Sequence, residues 1–351
     1  MDVWQWIGET QEALYEQGNE RLADLIDDVP RAVVDLQHDQ VDALVPEALH
    51  LAREAGSPWL EVFFRHWNLQ SQVFHRHRVS EALPEAVALL DFAHRNETRD
   101  CPQSVCAVQD LAHCYAELDG PGYVEERLAI ASETLERIDA EWACFTCISG
   151  EKAEALLDDG RYEETLQFVE DQAGALLRAG LHHRHYNLRV QKVEALIRLG
   201  RYDEAAEYNS KARKEVRQEY DILEQRLDAA RILAYQGQHK QAAKKLPGFQ
   251  EIRPTDSYFR PWAETVRLLA QHDAIGNDGQ LDGQFRMLSE KLSGQGANYG
   301  AAVLGLWRAE LALWRDDTAT AAAVCDQVAA MAARLRRPEA IQRTLAELRS
   351  R

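Results

Sequence analysis

Cys144-Phe145-Thr146-Cys147 places two thiols three residues apart, a spacing that puts both on one helix face and suits a metal ion or a redox couple. Cys101, Cys106 and Cys114 belong to the preceding stretch, with Cys106 expected at a similar height on the adjacent helix. No second C-x-x-C and no C-x-x-C…H-x-x-x-H accompanies the pair, and no strand pattern suggests a thioredoxin-like motif. Small core thiols are therefore the reading for Cys106, Cys144 and Cys147, with metal binding as the alternative. His75-Arg76-His77 and His182-His183-Arg184-His185 fall near helix ends or loops, where exposed histidine is ordinary. Asp27-Asp28, Asp158-Asp159 and Asp316-Asp317 do not extend to D-D-x-x-D, and no phosphate-binding loop, dinucleotide fingerprint or nucleophile elbow is present. No metal, no cofactor and no enzyme activity is expected.

The charge narrows the partners. With 40 Lys+Arg against 58 Asp+Glu, the chain of 351 residues carries −18. That opposes duplex nucleic acid or an anionic membrane, since phosphate backbones are held by cation clusters that release counterions. No apolar run approaches the roughly 18–20 residues of a membrane helix, and the start lacks a signal-peptide pattern. Six cysteines are too sparse for a disulfide scaffold. A cytoplasmic protein is expected.

Internal repetition says what must position any site. Gly160-Arg161-Tyr162-Glu163-Glu164-Thr165 and Gly200-Arg201-Tyr202-Asp203-Glu204-Ala205 are near copies, 40 residues apart. Looser versions begin at Asp39, His77, Asp119, Gly237, Gly279 and Asp316, spaced 38, 42, 41, 40, 37, 42 and 37 residues along the whole series. Seven residues before a turn lie Ala112, Ala153, Val193, Ala230 and Ala309; five after it lie Ala82, Thr165, Ala205, Ala242 and Ala321. Small residues at both places let two antiparallel helices approach closely. No sustained two-residue alternation occurs, so the chain is expected to be all-α.

Leu199-Gly200-Arg201-Tyr202-Asp203-Glu204-Ala205 resembles the tetratricopeptide-repeat turn, with its glycine, aromatic and alanine in order. The resemblance covers about residues 35–335, with a period near 40 that implies longer helices than the usual 34-residue unit. It implies a single right-handed α-solenoid of about eight antiparallel helix hairpins over residues 1–351, with a helical cap at 1–34, repeats at 35–335 and a capping helix at 336–351. Trp4, Ile7 and Leu14 at one end, and Ile341, Leu345 and Leu348 at the other, are the expected capping stripes. Pro247, Pro254 and Pro261, then six glycines from Gly276 to Gly300, break the rhythm. Region 247–300 is read as a short helix followed by long loops, with a hinge or lid as the alternative.

The same resemblance implies a concave groove lined by the first helix of each hairpin. Its register puts Asn68 and Ser71, Asp110 and His113, Glu151 and Glu154, Gln191 and Glu194, and Asp228 and Arg231 there, six and nine residues before the turns. Three-residue spacing sets each pair on one helix face. A strip with this many carboxylates should hold a basic or donor-rich protein or peptide segment. The function expected is thus a non-enzymatic binding module, an adaptor or regulator. A metal-dependent hydrolase site around His113 and its carboxylates, and a structural scaffold or homo-oligomer subunit, are the alternatives. About 35 residues precede the first unit, too few for a helix-turn-helix domain.

Overall fold

The computed structural model describes residues 3–186, 188–212 and 219–351, and among these there is no strand. Helix α1 (Val3–Glu16) packs on α2, the first helix of eight successive hairpins among the described residues. The first pairs α2 (Glu20–Val34) with α3 (His38–Glu54). The second joins α4 (Pro58–Leu69), extended by a π-helical stretch Gln70–His75, to α5 (Val79–Ala93). Then come α6 (Ser104–Asp119) with α7 (Val124–Leu135), α8 (Phe145–Asp158) with α9 (Tyr162–Arg178), and α10 (Arg189–Arg198) with α11 (Tyr202–Ala212). The sixth has α12 (Glu219–Tyr235) and the short α13 (His239–Lys245), followed by α14 (Phe249–Ile252). Helix α15 (Phe259–Gln271) pairs with α16 (Gly279–Gly294), α17 (Asn298–Trp314) with α18 (Thr318–Ala332), and α19 (Glu339–Arg349) closes the chain. The architecture is a right-handed α-solenoid.

One backbone device makes the hairpins. A left-handed residue sits at each turn: Leu36, His77, Gly120, Gly160, Gly200, Gly237, Asp273 and Asp316. At Gly160 the amide donates to Leu157 O at 3.0 Å and the next amide, of Arg161, to Leu156 O at 2.9 Å. Gly200 and Arg201 repeat this on Ile197 O and Leu196 O at 3.0 and 2.9 Å. These bonds satisfy carbonyls that a helix end leaves open. Non-glycine residues adopt the same conformation at Leu36, His77, Asp273 and Asp316, so the turn recurs where the glycine signal does not. Three turns therefore lie away from the residues that suggested them: Asp119 gives way to Gly120, Asp39 to Leu36 and Gly279 to Asp273.

All ten small residues flanking the turns are buried, as close helix approach requires. The region 247–300 differs from its reading as loops. Pro247 does end α13 early, but α16 is a sixteen-residue helix that carries Gly279, Gly283 and Gly294. Its start is fixed by Asp278, whose carboxylate accepts from the amides of Gln280 and Leu281. At the N-terminus the buried face carries Val3, Trp6 and Leu14, whereas Trp4 is 59% exposed. Trp6 packs edge-on against Trp59 and Phe63, so Trp6 in place of Trp4 joins the half-buried Ile7 and the buried Leu14.

The first helices stack in the order α4, α6, α8, α10, α12, α15, α17, and α17 packs back against α6. The solenoid therefore closes one turn upon itself. Gly120 and Gly296 mark this closure: a Cβ at 120 would lie 3.3 Å from the Tyr299 ring, and one at 296 only 2.6 Å from Ser80 Oγ. The Arg336 amide donates to Asp119 Oδ2 at 2.5 Å, while Arg336 Nη1 meets Glu126 and Arg337 Nη2 meets Glu125, at 2.6 and 2.7 Å. No helix among the described residues is long and apolar enough to cross a membrane.

Candidate functional site on the inner helices

The ten residues expected in the groove all lie on successive first helices or the π-helical continuation of α4, and they fall into three groups. Asn68 and Ser71 stand at the start, Asn68 half-buried and Ser71 fully buried. Asp110, on α6, is also fully buried. Its Oδ2 lies 2.8 Å from His66 Nδ1 and its Oδ1 accepts from Gln70 Nε2 at 2.7 Å. Burial pulls the His66 pKa down, but the Asp110 charge and hydrogen bond prevail and raise it.

The second group joins α6, α8 and α10. His113 stacks on Phe74 with centroids 4.0 Å apart, and its Nδ1 lies 3.8 Å from Glu151 Oε1. Burial alone would lower its pKa, yet Glu151, with Glu117 and Glu154, lifts it to about 9. Glu154 accepts from Gln191 Nε2 at 3.0 Å. Burial and the neighbouring Glu151 push Glu154 up to about 7, against the pull of Arg127 and His113. Among the described residues, the buried atoms Glu151 Oε2 and Gln191 Oε1 have no hydrogen-bond partner. Arg127, fully buried on α7, donates from Nη1 to Asp158 Oδ2 at 2.5 Å and leaves Nε and Nη2 unpartnered.

The third group is neutralised internally. Arg231 reaches Glu194, and its Nε lies 2.7 Å from Glu264 Oε2. Arg198 donates from Nε to Glu194 Oε1 at 2.7 Å and from Nη1 to Glu264 Oε1 at 2.8 Å. Tyr235 Oη also donates to Glu264 Oε1, at 2.7 Å. Despite burial, Arg231 and Arg198 hold Glu194 and Glu264 below the usual carboxylate range. Asp228 accepts from Arg189 Nη1 at 2.5 Å, while Arg189 also pairs with Glu224. Burial still raises the Asp228 pKa.

The polar strip is thus brought together, but not as a continuous solvated acidic face. Asp110, Glu151, Gln191, Asp228 and Arg231 are buried. Five partners escaped the register: His66, Arg127, Arg189, Arg198 and Glu264. Of these only Arg198 had a local signal, four residues after Glu194 on one helix face. The others arrive from neighbouring helices. No three His, Cys, Asp or Glu side chains among the described residues are grouped to hold a metal ion. His113 and Glu151 stand at ion-pair distance only. All six cysteines are free, and Cys106 is buried while Cys144 and Cys147 are half-buried.

No family model and no curated protein sequence matches the chain. A solved structure does: the "Crystal Structure of Rap Protein Complexed with Competence and Sporulation Factor" has a TM-score of 0.51 and 13% sequence identity, over 94% of this chain and 99% of that one. The likeness is one of fold, an all-helical repeat architecture. Identity this low carries the fold and leaves the site to its own residues.

Proposed function

We propose that this tetratricopeptide-like chain is a non-catalytic binding module, an adaptor or regulator in the cytoplasm, which holds a basic or donor-rich protein or peptide segment against α6, α8 and α10. The observation that carries this reading is the pair of unmet acceptors on α8 and α10 in the middle group, where Arg127 of α7 also keeps Nε and Nη2 unpartnered. Glu151 Oε2 and Gln191 Oε1 lack donors, and Glu154 sits near 7 because burial beside Glu151 leaves it short of positive charge. A ligand ammonium or guanidinium would supply what these groups lack. Glu194 and Asp228 are weaker anchors, because arginines already occupy them. The similarly folded Rap protein, whose structure holds a second component, Competence and Sporulation Factor, supports binding over catalysis.

Fluorescence anisotropy on the full chain tests this, with equal-length libraries rich in Lys/Arg or in Asp/Glu. Basic segments should be retained, and Glu154→Gln should weaken them about tenfold. Preference for acidic segments, or an unchanged affinity in Glu154→Gln, would overturn it.

A further inference from the structure

The six-and-nine register of the first helices does not stop at Arg231. Counted back from the left-handed turns at Asp273 and Asp316, it gives Arg267 and Glu264 on α15, and Glu310 and Trp307 on α17. Glu264 is already engaged by Arg198, Arg231 and Tyr235. The other three line a cavity of about 370 Å³, whose opposite wall is the face of α19 that carries Ala340, Thr344 and Glu347, with Arg351 just beyond it. Val303, Leu306, Ile341 and Leu348 supply its apolar surface. Ligand sites run from roughly 300 to 1,000 Å³, so this one suits a small molecule and not a length of chain. Two guanidinium groups share one carboxylate here. Arg267 Nη1 donates to Glu310 Oε2 at 2.9 Å, and Arg351 Nη1 stands 3.9 Å from Glu310 Oε1. The two arginines bring roughly ten N–H donors to a carboxylate with about four acceptor sites. Arg267 Nε has no hydrogen-bond partner among the described residues, and its guanidinium lies 5.8 Å from the centroid of the Trp307 ring. Glu347 is exposed, where water weakens its field.

We infer that the cavity between α15, α17 and α19 is a ligand site of its own, and that it takes a small aryl carboxylic acid. The carboxylate is received by Arg267 and Arg351, the donors that Glu310 leaves in surplus. The ring lies against Trp307 and the apolar surface of Val303, Leu306 and Ile341, where an aromatic body gains both burial and stacking. A cationic head is disfavoured, because Glu310 is already held by two arginines that repel it. The site shares no residue with the group on α6, α8 and α10, so either reading can fail alone.

Isothermal titration calorimetry on the full chain tests this with three probes. These are indole-3-acetate, tryptamine (the same ring with an ammonium) and acetate (the head without the ring). Indole-3-acetate should bind one to one and about tenfold or more tighter than tryptamine, and acetate should give no saturable heat. Ala340→Trp replaces an exposed lining residue with one that fills the cavity, and should abolish binding. Arg351→Glu, at a side chain about half exposed, should weaken binding about tenfold while circular dichroism stays that of the parent. Tighter binding of tryptamine, or no saturable heat from indole-3-acetate, would overturn the proposal. So would acetate binding as tightly as indole-3-acetate, or an affinity unchanged in either folded variant. If Ala340→Trp proves unfolded, the three probes and Arg351→Glu decide.

Discussion

His66 Nδ1 lies 2.8 Å from Asp110 Oδ2, with both residues buried and 44 positions apart in sequence. Helix α4 supplies the ring and α6 the carboxylate, so this pair fixes one hairpin against the next. Deleting one member leaves the other buried without its partner. Asp110→Ala should therefore cost about 3–5 kcal/mol, and Asp110→Asn, which keeps a hydrogen-bonding side chain, distinctly less. With its pKa raised, the His66 contribution is complete below the ordinary 6.5 and fades as pH rises through the folded value. Urea denaturation of both variants from pH 5 to 9 checks the size and the slope. A loss below about 1 kcal/mol in Asp110→Ala would show the pair to be incidental.

Glu154 and His113 give stability a pH dependence of defined sign. Glu154 rises from 4.5 to about 7, so its contribution is complete below 4.5 and is lost as pH climbs through about 7. His113 rises from 6.5 to about 9, so its contribution is complete below 6.5 and is lost through about 9. Both slopes run the same way, and these two groups make the fold less stable from pH 5 to pH 9. Glu154→Gln should flatten the acidic half of that decline and gain on the order of 1 kcal/mol at pH 8. Denaturation midpoints at pH 5, 7, 8 and 9 measure this, and an unaltered slope between 5 and 7 would contradict it.

Buried and exposed arginines should separate by energy. Arg231 is buried between Glu194 and Glu264, so Arg231→Ala should cost about 3–5 kcal/mol. Arg336 and Arg337 are about half exposed where they meet Glu126 and Glu125. Arg336→Ala and Arg337→Ala should each cost less than about 1 kcal/mol, and this cost should shrink further in high salt. Their effect belongs to shape, since they bridge the closure between α17, α18 and the α6–α7 hairpin. Small-angle scattering of the double variant should show a larger radius of gyration than the parent at low salt. An identical radius would assign closure to the Gly120–Tyr299 and Gly296–Ser80 contacts alone.

The hairpins were legible in the sequence because their causes are local. Five of eight turns lie at the residue the spacing suggested: His77, Gly160, Gly200, Gly237 and Asp316. The three that shifted have weaker signals, as at Asp273, where Gly279 offered a false glycine. The region 247–300 misled for the same reason, since composition said loop while Asp278 capped a helix. Within the candidate site, the placement of the ten residues on the first helices was legible, whereas the state of the side chains was not.

The sequence by itself determined the repeat, its period, the small residues of the helix contacts and the polar character of the inner face. Each of these follows from helix and turn chemistry within one unit of about 40 residues. Only the tertiary structure decided which charges remain unsatisfied. Asp110 meets His66 44 residues away, Glu194 meets an arginine 37 residues away, and the Arg336 amide reaches Asp119 across 217 residues. Such pairs depend on the rise and closure of the whole superhelix, which accumulate over many units. The carboxylates that look alike in the sequence therefore divide into buried ion pairs and a middle group whose polar atoms are not all partnered.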